Sequence, residues 1–300
     1  MTGRRAVRAG DRVLIVANPA TRREIGPILA ALRASAPEGV ELDIRVTSSA
    51  GEARAIAEDC AHGAAMVVAI GGDGTVADVA GSLEHGAIPL GIVAAGSTNI
   101  IGRQLGVPTN PAEVAALLWG EHEEQVIDAG YCNERVFLHM AGVGFDSELF
   151  ARTDGRLKRK IGWMAYLPAG ASALREKPAR FQIEADGEAF DLLSPLVLVA
   201  NGGAVIHPAL TIHPDIDPRD GKLDLIVVTA TTPIQVARTL ARAATGSFSE
   251  SSFVIHRQAT AIRVEADRAM PVQLDGDVNE SLPATFRIEP ASVRVIVPSR

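Results

Sequence analysis

Apolar positions follow one rule up to about residue 128 and another beyond it. In the first stretch compact apolar runs alternate with segments of helical period. Arg12–Ala17 (RVLIVA), Ala65–Ile70 and Ile88–Val93 are short, nearly uninterrupted apolar runs, and Glu41–Thr47 (ELDIRVT) alternates apolar with polar. Between them Glu24–Ser35, Gly51–His62, Val76–Leu83 and Pro111–Leu118 carry helical spacing, with stops at Pro37 and Gly63. Strands that alternate with helices predict a parallel sheet covered on both faces. From Val126 onward short strands and turn residues dominate: Arg135–Met140, Ala179–Glu184, Leu196–Asn201, Leu223–Val228, Ser252–His256, Ala261–Ala266, Val272–Leu274, Phe286–Ile288 and Val293–Val297. Helical patterns interrupt them at Leu157–Leu174 and Pro233–Ala244. That spacing predicts an antiparallel sandwich or barrel. The expected architecture is an α/β, doubly wound parallel-sheet domain over 1–128 and a β-rich domain over 129–300.

Composition narrows the function classes. With 300 residues, 47% of them hydrophobic and only 4% aromatic, the chain suits two globular domains. No apolar run approaches the roughly 18–20 residues that span a bilayer. The early arginines precede an apolar stretch too short for a secretory signal, which leads us to expect a cytoplasmic protein. Cys60 and Cys132 form neither a disulfide framework nor a metal spacing. A net charge of −7 argues against nucleic acid as a partner and against global attraction to anionic membranes.

The strongest chemical signal is Gly71-Gly72-Asp73-Gly74-Thr75, which follows a buried strand and opens a helix. Glycines let the backbone approach a bulky anion, and a helix N-terminus adds partial positive charge there. Asp73 is a carboxylate among would-be phosphates, which makes sense with Mg2+ between them. Thr75 is placed to cap the helix or to donate to a phosphate. A bare capped turn is the alternative, less favoured in this strand–turn–helix context. A second loop, Gly96-Ser97-Thr98-Asn99, follows the next strand, with Arg103 one turn into a helix. Together the two loops are suited to clamp a triphosphate. Val272-Gln273-Leu274-Asp275-Gly276-Asp277 runs from a strand into an acidic turn. Asp275 is placed to accept a hydroxyl proton, but from sequence chemistry alone an Asp-Gly hairpin is the better reading.

Taken in order, GGDGT at 71–75, GSTN…R at 96–103, AGVGFD at 141–146, the NGG–HP–DGKLDL stretch from 201 to 225, and QLDGD at 273–277 resemble the diacylglycerol kinase catalytic family, which includes sphingosine and ceramide kinases. The resemblance runs from about residue 12 to 298. It implies an ATP-dependent kinase that phosphorylates a primary hydroxyl of a lipid, with ATP between the domains. Asn18 would lie near the nucleotide. Asp275 would be the catalytic base, and Asp277 stands where the family has Glu. The turn at Asp217, Asp220 and Lys222 resembles a structural Mg2+ site, with a carboxylate from Asp220 and carbonyls from the other two; a solvated turn is nearly as good a reading. Lipid at a membrane surface would be the partner, reached by transient peripheral contact, and homodimerisation is left open.

The chain departs from the family pattern at three places: Ala77-Asp78 replaces Asn-Glu, Ile100 replaces an acidic residue that can join a metal network with Asp73 and Asp128, and His139 replaces a small residue or Asn. The basic run Arg152, Arg156, Lys158, Arg159, Lys160 beside Trp163 and Tyr166 reads as a solvated face more readily than as a membrane contact. His207 and His213 read as structural. Two rival functions remain in view: an NAD kinase-like enzyme with a soluble acceptor, whose second Asn-Glu motif is missing, and a catalytically silent lipid- or nucleotide-binding regulator.

Overall fold

The computed structural model describes residues 6–49, 51–83, 86–144, 178–203, 212–244 and 247–299. The predicted helix at 157–174, the basic run at 152–160 and His207 lie outside them. The chain forms two compact units, Met1–Ala129 with Ala291–Arg300, and Gly130–Pro290. Where the sequence pattern assigned 129–300 to one domain, the last ten residues pack with the first unit instead.

In the first unit the elements are β1 (Arg12–Ala17), α1 (Ile25–Ser35), β2 (Glu41–Val46), α2 (Glu52–Cys60), β3 (Met66–Gly71), α3 (Asp73–Ala80), β4 (Leu90–Ala94), α4 (Ile100–Gln104) and α5 (Pro111–Trp119). The sheet order is β2–β1–β3–β4, all parallel. Every residue from Val13 to Ala17 and from Val67 to Ile70 has no exposed surface, as expected for strands covered on both faces. Helix α5 starts where Asn110 Oδ1 accepts the Ala112 N–H at 2.9 Å with Pro111 in the first turn. Helix α3 begins at Asp73, three residues before the predicted start. Its first turn is the Gly74-Thr75 part of the glycine motif, which simple propensity reads as a breaker.

The second unit contains β6 (Arg135–Phe137), β7 (Met140–Gly144), β8 (Ala179–Ala185), β9 (Glu188–Ser194), β10 (Leu196–Ala200), β11 (Leu223–Val228), α6 (Pro233–Ala244), β12 (Val254–Ala259), β13 (Ala261–Ala266), β14 (Pro271–Leu274) and β15 (Asp277–Ser281). Strands β5 (Glu123–Cys132) and β16 (Ala284–Val297) each carry the chain across the division between the units. One antiparallel sheet has the order β12–β11–β10–β7–β14–β15; the other strands of the unit, β9–β8–β13, pair with the first half of β16. Between these sheets lies a core that includes Phe137, Phe181, Ile183, Leu225 and Phe286, with Phe137 and Phe286 edge to face at 6.4 Å. Met140, Leu196, Leu198 and Ile226 form a second cluster. Strands β10 and β11 are therefore buried along their whole length; β10 reads as a continuous apolar run, and β11 as one interrupted only by Asp224.

Strand β16 was expected as two strands, Phe286–Ile288 and Val293–Val297. It is one, bent where Ala291 adopts φ +50°. The bend is held by Asp128, whose buried carboxylate accepts the Ala291 N–H at 2.7 Å. Past it, Val295 pairs in parallel with Leu90 of β4.

Candidate active site

Because β1, β3 and β4 are neighbours, their carboxyl ends bring three loops together. The Asn18 N–H donates to the Ile70 carbonyl at 2.9 Å, and the Ala95 and Gly96 N–H groups converge on the Gly71 carbonyl at 2.8 and 3.2 Å. Asn18 Nδ2 donates to Thr75 Oγ1 at 3.1 Å, while its Oδ1 accepts the Ala20 N–H at 2.9 Å. Thr75 is thus bound to Asn18 and is not the cap of α3. A Cβ on Gly71 would lie 2.4 Å from the Thr75 Cβ, and one on Gly96 would lie 2.5 Å from the Gly72 Cα, so the two glycine loops touch through backbone alone. Asn99, at φ +50°, closes the second loop: its Oδ1 accepts the Gly96 N–H and its Nδ2 donates to the Gly96 carbonyl, both at 2.9 Å.

The first intrahelical acceptor bond of α3 is Val76 N–H to the Gly72 carbonyl at 3.1 Å. The amides of Asp73, Gly74 and Thr75 are therefore its N-terminal donors, beside the Gly72–Gly96 contact, and they suit an anion. Ser97 is exposed at the tip of the second loop, Thr98 is half-buried beside it, and Arg103 is exposed one turn into α4.

Asp73 takes a role the sequence did not suggest. Its carboxylate is buried, and Oδ1 accepts the Ile101 N–H at 3.1 Å, which caps α4. The next side chain, Ile100, is buried and apolar, so no second carboxylate is supplied at that position. In this position Asp73 caps α4 and joins the two glycine loops. Burial pushes the Asp73 carboxyl up, opposed by the amides of Ile101, Ile100 and Asn99 and by Arg103. Its folded pKa thus lies above the unfolded one, and ionisation as pH rises through that window costs stability. Asp73→Asn keeps an oxygen for the Ile101 N–H and has no charge to bury. We expect its melting temperature relative to wild type to be higher at pH 7 than below the ordinary carboxylate value of about 3.9; a pH-independent difference would contradict this.

Sequence reasoning missed Thr47 and Arg23. Thr47, buried at the end of β2, donates its N–H to the Ala17 carbonyl at 2.9 Å. The Arg23 guanidinium straps the loops by donating to the Ala94 and Thr109 carbonyls at 3.2 and 2.8 Å. A polar stretch after the Asn18-Pro19 turn is the only sequence signal for Arg23, and Thr47 has none beyond following a strand.

In the second unit, Leu274 pairs with Asp277, leaving Asp275-Gly276 as a two-residue turn with φ of +49° and +100°. This is the Asp-Gly hairpin foreseen from sequence chemistry. The Asp275 carboxylate is also clasped: Oδ2 accepts the Leu138 N–H at 2.8 Å, and Oδ1 accepts those of His139 and Met140, both at 2.9 Å. The Asp275 N–H returns to the Met140 carbonyl at 2.9 Å. Gln273, also buried, accepts the Gly276 N–H at 2.7 Å. Asp277 opens β15 with an accessible side chain, and desolvation pushes its carboxyl above the ordinary range.

The Asp217–Lys222 turn lies beside β11. The Asp217 carboxylate is held by Arg219 at 2.7 and 2.8 Å. Asp220 accepts the Lys222 N–H at 2.9 Å and a Gln258 side-chain N–H at 3.1 Å, and Lys222 Nζ donates to Gln258 at 3.3 Å. Burial, and secondarily Asp224, push the Asp220 carboxyl up. Asp224 is itself fully buried: Oδ1 lies 2.6 Å from His256 Nε2, and Oδ2 has no hydrogen-bond partner among the described residues. Among the described residues, no group of three His, Cys, Asp or Glu gathers for a metal, so a cation there would need main-chain oxygens. No helix among the described residues is long and apolar enough to cross a membrane.

A parallel-sheet unit with interlocked glycine loops, joined to an antiparallel unit with a clasped acidic turn, is the build of a phosphotransferase with an alcohol acceptor. Residues 12–132 match the diacylglycerol kinase catalytic domain, and residues 140–297 match the YegS C-terminal NAD kinase beta sandwich-like domain. The chain belongs to the family of diacylglycerol kinase-like lipid kinases. It is 34% identical over 300 residues to the "Probable lipid kinase YegS-like" of Pseudomonas aeruginosa (strain UCBPP-PA14), covering 96% of this chain and 95% of that protein. It is 28% identical over 295 residues to the "Diacylglycerol kinase" of Bacillus subtilis (strain 168), with 96% of each chain covered. The crystal structure of a "putative diacylglycerol kinase" from Bacillus anthracis str. Sterne superposes with a TM-score of 0.77 at 25% identity, over 97% of this chain and 98% of that one.

Proposed function

We propose that this protein transfers the γ-phosphoryl group of MgATP to a primary hydroxyl of a lipid, either diacylglycerol or a sphingolipid such as ceramide or a sphingoid base, at a membrane surface. The observation that carries this reading is the Gly72–Gly96 backbone contact beside the N-terminal amides of α3. An approach that close excludes any side chain on Gly96, and it leaves amides open to a large anion. In this reading Gly71, Gly72, Gly74 and Gly96 admit the triphosphate. Ser97, Thr98 and Arg103 add donors, while Asn18, Asp73, Thr75 and Asn99 hold the loops in place. Asp275 takes the proton as the lipid oxygen attacks in line and ADP leaves. Cradle amides aimed at the transferring group stabilise its charge.

A second reading of the proton acceptor is favoured by the clasp on Asp275. Three of the roughly four lone-pair positions of its carboxylate already accept backbone N–H groups, whereas Asp277 is accessible and pushed up. Asp277 is then the acceptor and Asp275 the group that fixes its turn.

The Asp220 carboxylate with the carbonyls of Asp217 and Lys222 would make a hard, all-oxygen donor set of the kind Mg2+ takes, with the buried Asp224 beside it. Bound there, the ion would offset the Asp220 and Asp224 charges. We expect Mg2+ to raise the melting temperature, by up to about 2.7 kcal/mol of stability at a hundredfold excess over Kd. Asp220→Ala should remove that response. Asp217→Asn, which changes only a carboxylate already paired with Arg219, should keep it.

The acceptor is tested by offering diacylglycerol, ceramide and sphingosine in mixed micelles, and NAD in parallel, with labelled MgATP. Label in a lipid supports the proposal. Label in NAD favours a soluble-acceptor kinase, and binding without product favours a silent regulator.

A further inference from the structure

Asn201 and Gly202 follow β10 and begin the NGG motif, to which the proposed chemistry gives no role. Asn201 is fully buried. Its Nδ2 donates to the Leu138 carbonyl at 2.9 Å. Its own N–H and that of Gly202 both donate to the His139 carbonyl, at 2.9 and 2.8 Å. These two carbonyls belong to the peptide units whose other ends, the N–H groups of His139 and Met140, donate to Asp275 Oδ1 at 2.9 Å each. A peptide unit is planar and rigid, so holding its oxygen aims its N–H. A donor on the oxygen also polarises the unit and strengthens the bond made on the opposite side.

We infer that Asn201 is a positioning residue for the acidic turn, acting on Asp275 through the Leu138–His139 and His139–Met140 peptide units. The inference rests on the lipid-kinase reading for its catalytic consequence. His139, where the family has a small residue or Asn, contributes to this relay only main-chain groups, which any side chain supplies. That accounts for the tolerance of histidine there.

The test uses the full-length protein and two readouts. In an active enzyme Asn201→Ala should lower kcat by about tenfold or more while leaving KM for MgATP unchanged. Combined with Asp275→Asn it should cause no further loss. In NMR spectra the amide proton of His139, whose peptide oxygen loses the Asn201 side-chain donor, should move upfield in Asn201→Ala, more than that of Met140, whose peptide oxygen keeps its backbone donors, or those of the other β7 amides. Should that variant fail to fold, Asn201→Ser, which keeps the backbone donors and a shorter side-chain donor, is read in the same way. Losses that multiply with those of Asp275→Asn, or an unmoved His139 amide, would overturn the inference and leave Asn201 a scaffold residue. A wild-type protein without lipid kinase activity sinks the functional reading instead, and the amide shifts then decide the relay by themselves.

Discussion

Gly96→Ala is expected to lower kcat/KM for MgATP by about a hundredfold and to destabilise the fold by about 1–3 kcal/mol. The added Cβ would meet the Gly72 Cα at 2.5 Å, the Asn99 Oδ1 at 3.0 Å and the Gly72 N at 3.3 Å. Two of these three atoms are backbone, so no side-chain rotation relieves the clash. The loops must part, which breaks the Gly96–Gly71 and Gly96–Asn99 bonds that shape the cradle. Gly102→Ala is the control. Its Cβ would find only ordinary contacts at 3.7–3.9 Å to Ile92, Ala94 and Val107, so near-normal turnover and melting are expected. Steady-state kinetics and thermal melts of the two variants check this. Equal behaviour would mean that the Gly72–Gly96 approach has no bearing on nucleotide binding.

The other large effect concerns the acidic turn. Asp275→Asn is expected to reduce turnover by about 10²–10⁴-fold, the usual contribution of a positioned general base. The clasp adds a stability cost, because a carboxamide has one acceptor oxygen where the carboxylate serves donors on both. Whichever way it is flipped, its NH2 faces a backbone N–H of Leu138 or of His139 and Met140. One unmet buried donor costs about 1–3 kcal/mol. Asp277→Asn has no such clasp to lose, and should melt like wild type. If Asp277→Asn loses turnover to the same degree at unchanged stability, the proton goes to Asp277. If folded Asp275→Asn keeps near-normal rates, Asp275 is neither base nor essential to the turn.

How much could be read in advance depended on whether the signal was local. Strands β1 and β3 were legible because burial on both faces leaves no polar position to confuse the pattern. The glycine motifs were legible because only close backbone approach calls for so many glycines at strand ends. Strands β5, β9 and β15 were not, since their exposed faces carry charged residues such as Glu188 and Asp191. Strand β16 was split on paper because Pro290 reads as a break, and only the distant Asp128 carboxylate shows that the strand continues. The job of Asp73 was hidden for the same reason: its partner, the Ile101 N–H, is 28 residues away. Asp275 was read first as a turn and, through family likeness, as a base; its clasp by Leu138–Met140 is a long-range feature with no local trace.

The account depends most on the two glycine loops being the phosphate cradle, and amide-resolved titration with MgATP or a non-hydrolysable analogue tests that directly. The largest saturable shifts are predicted at Gly72, Gly74, Thr75 and Gly96, and should vanish in Gly96→Ala. Saturable binding that leaves those four amides unmoved would contradict it.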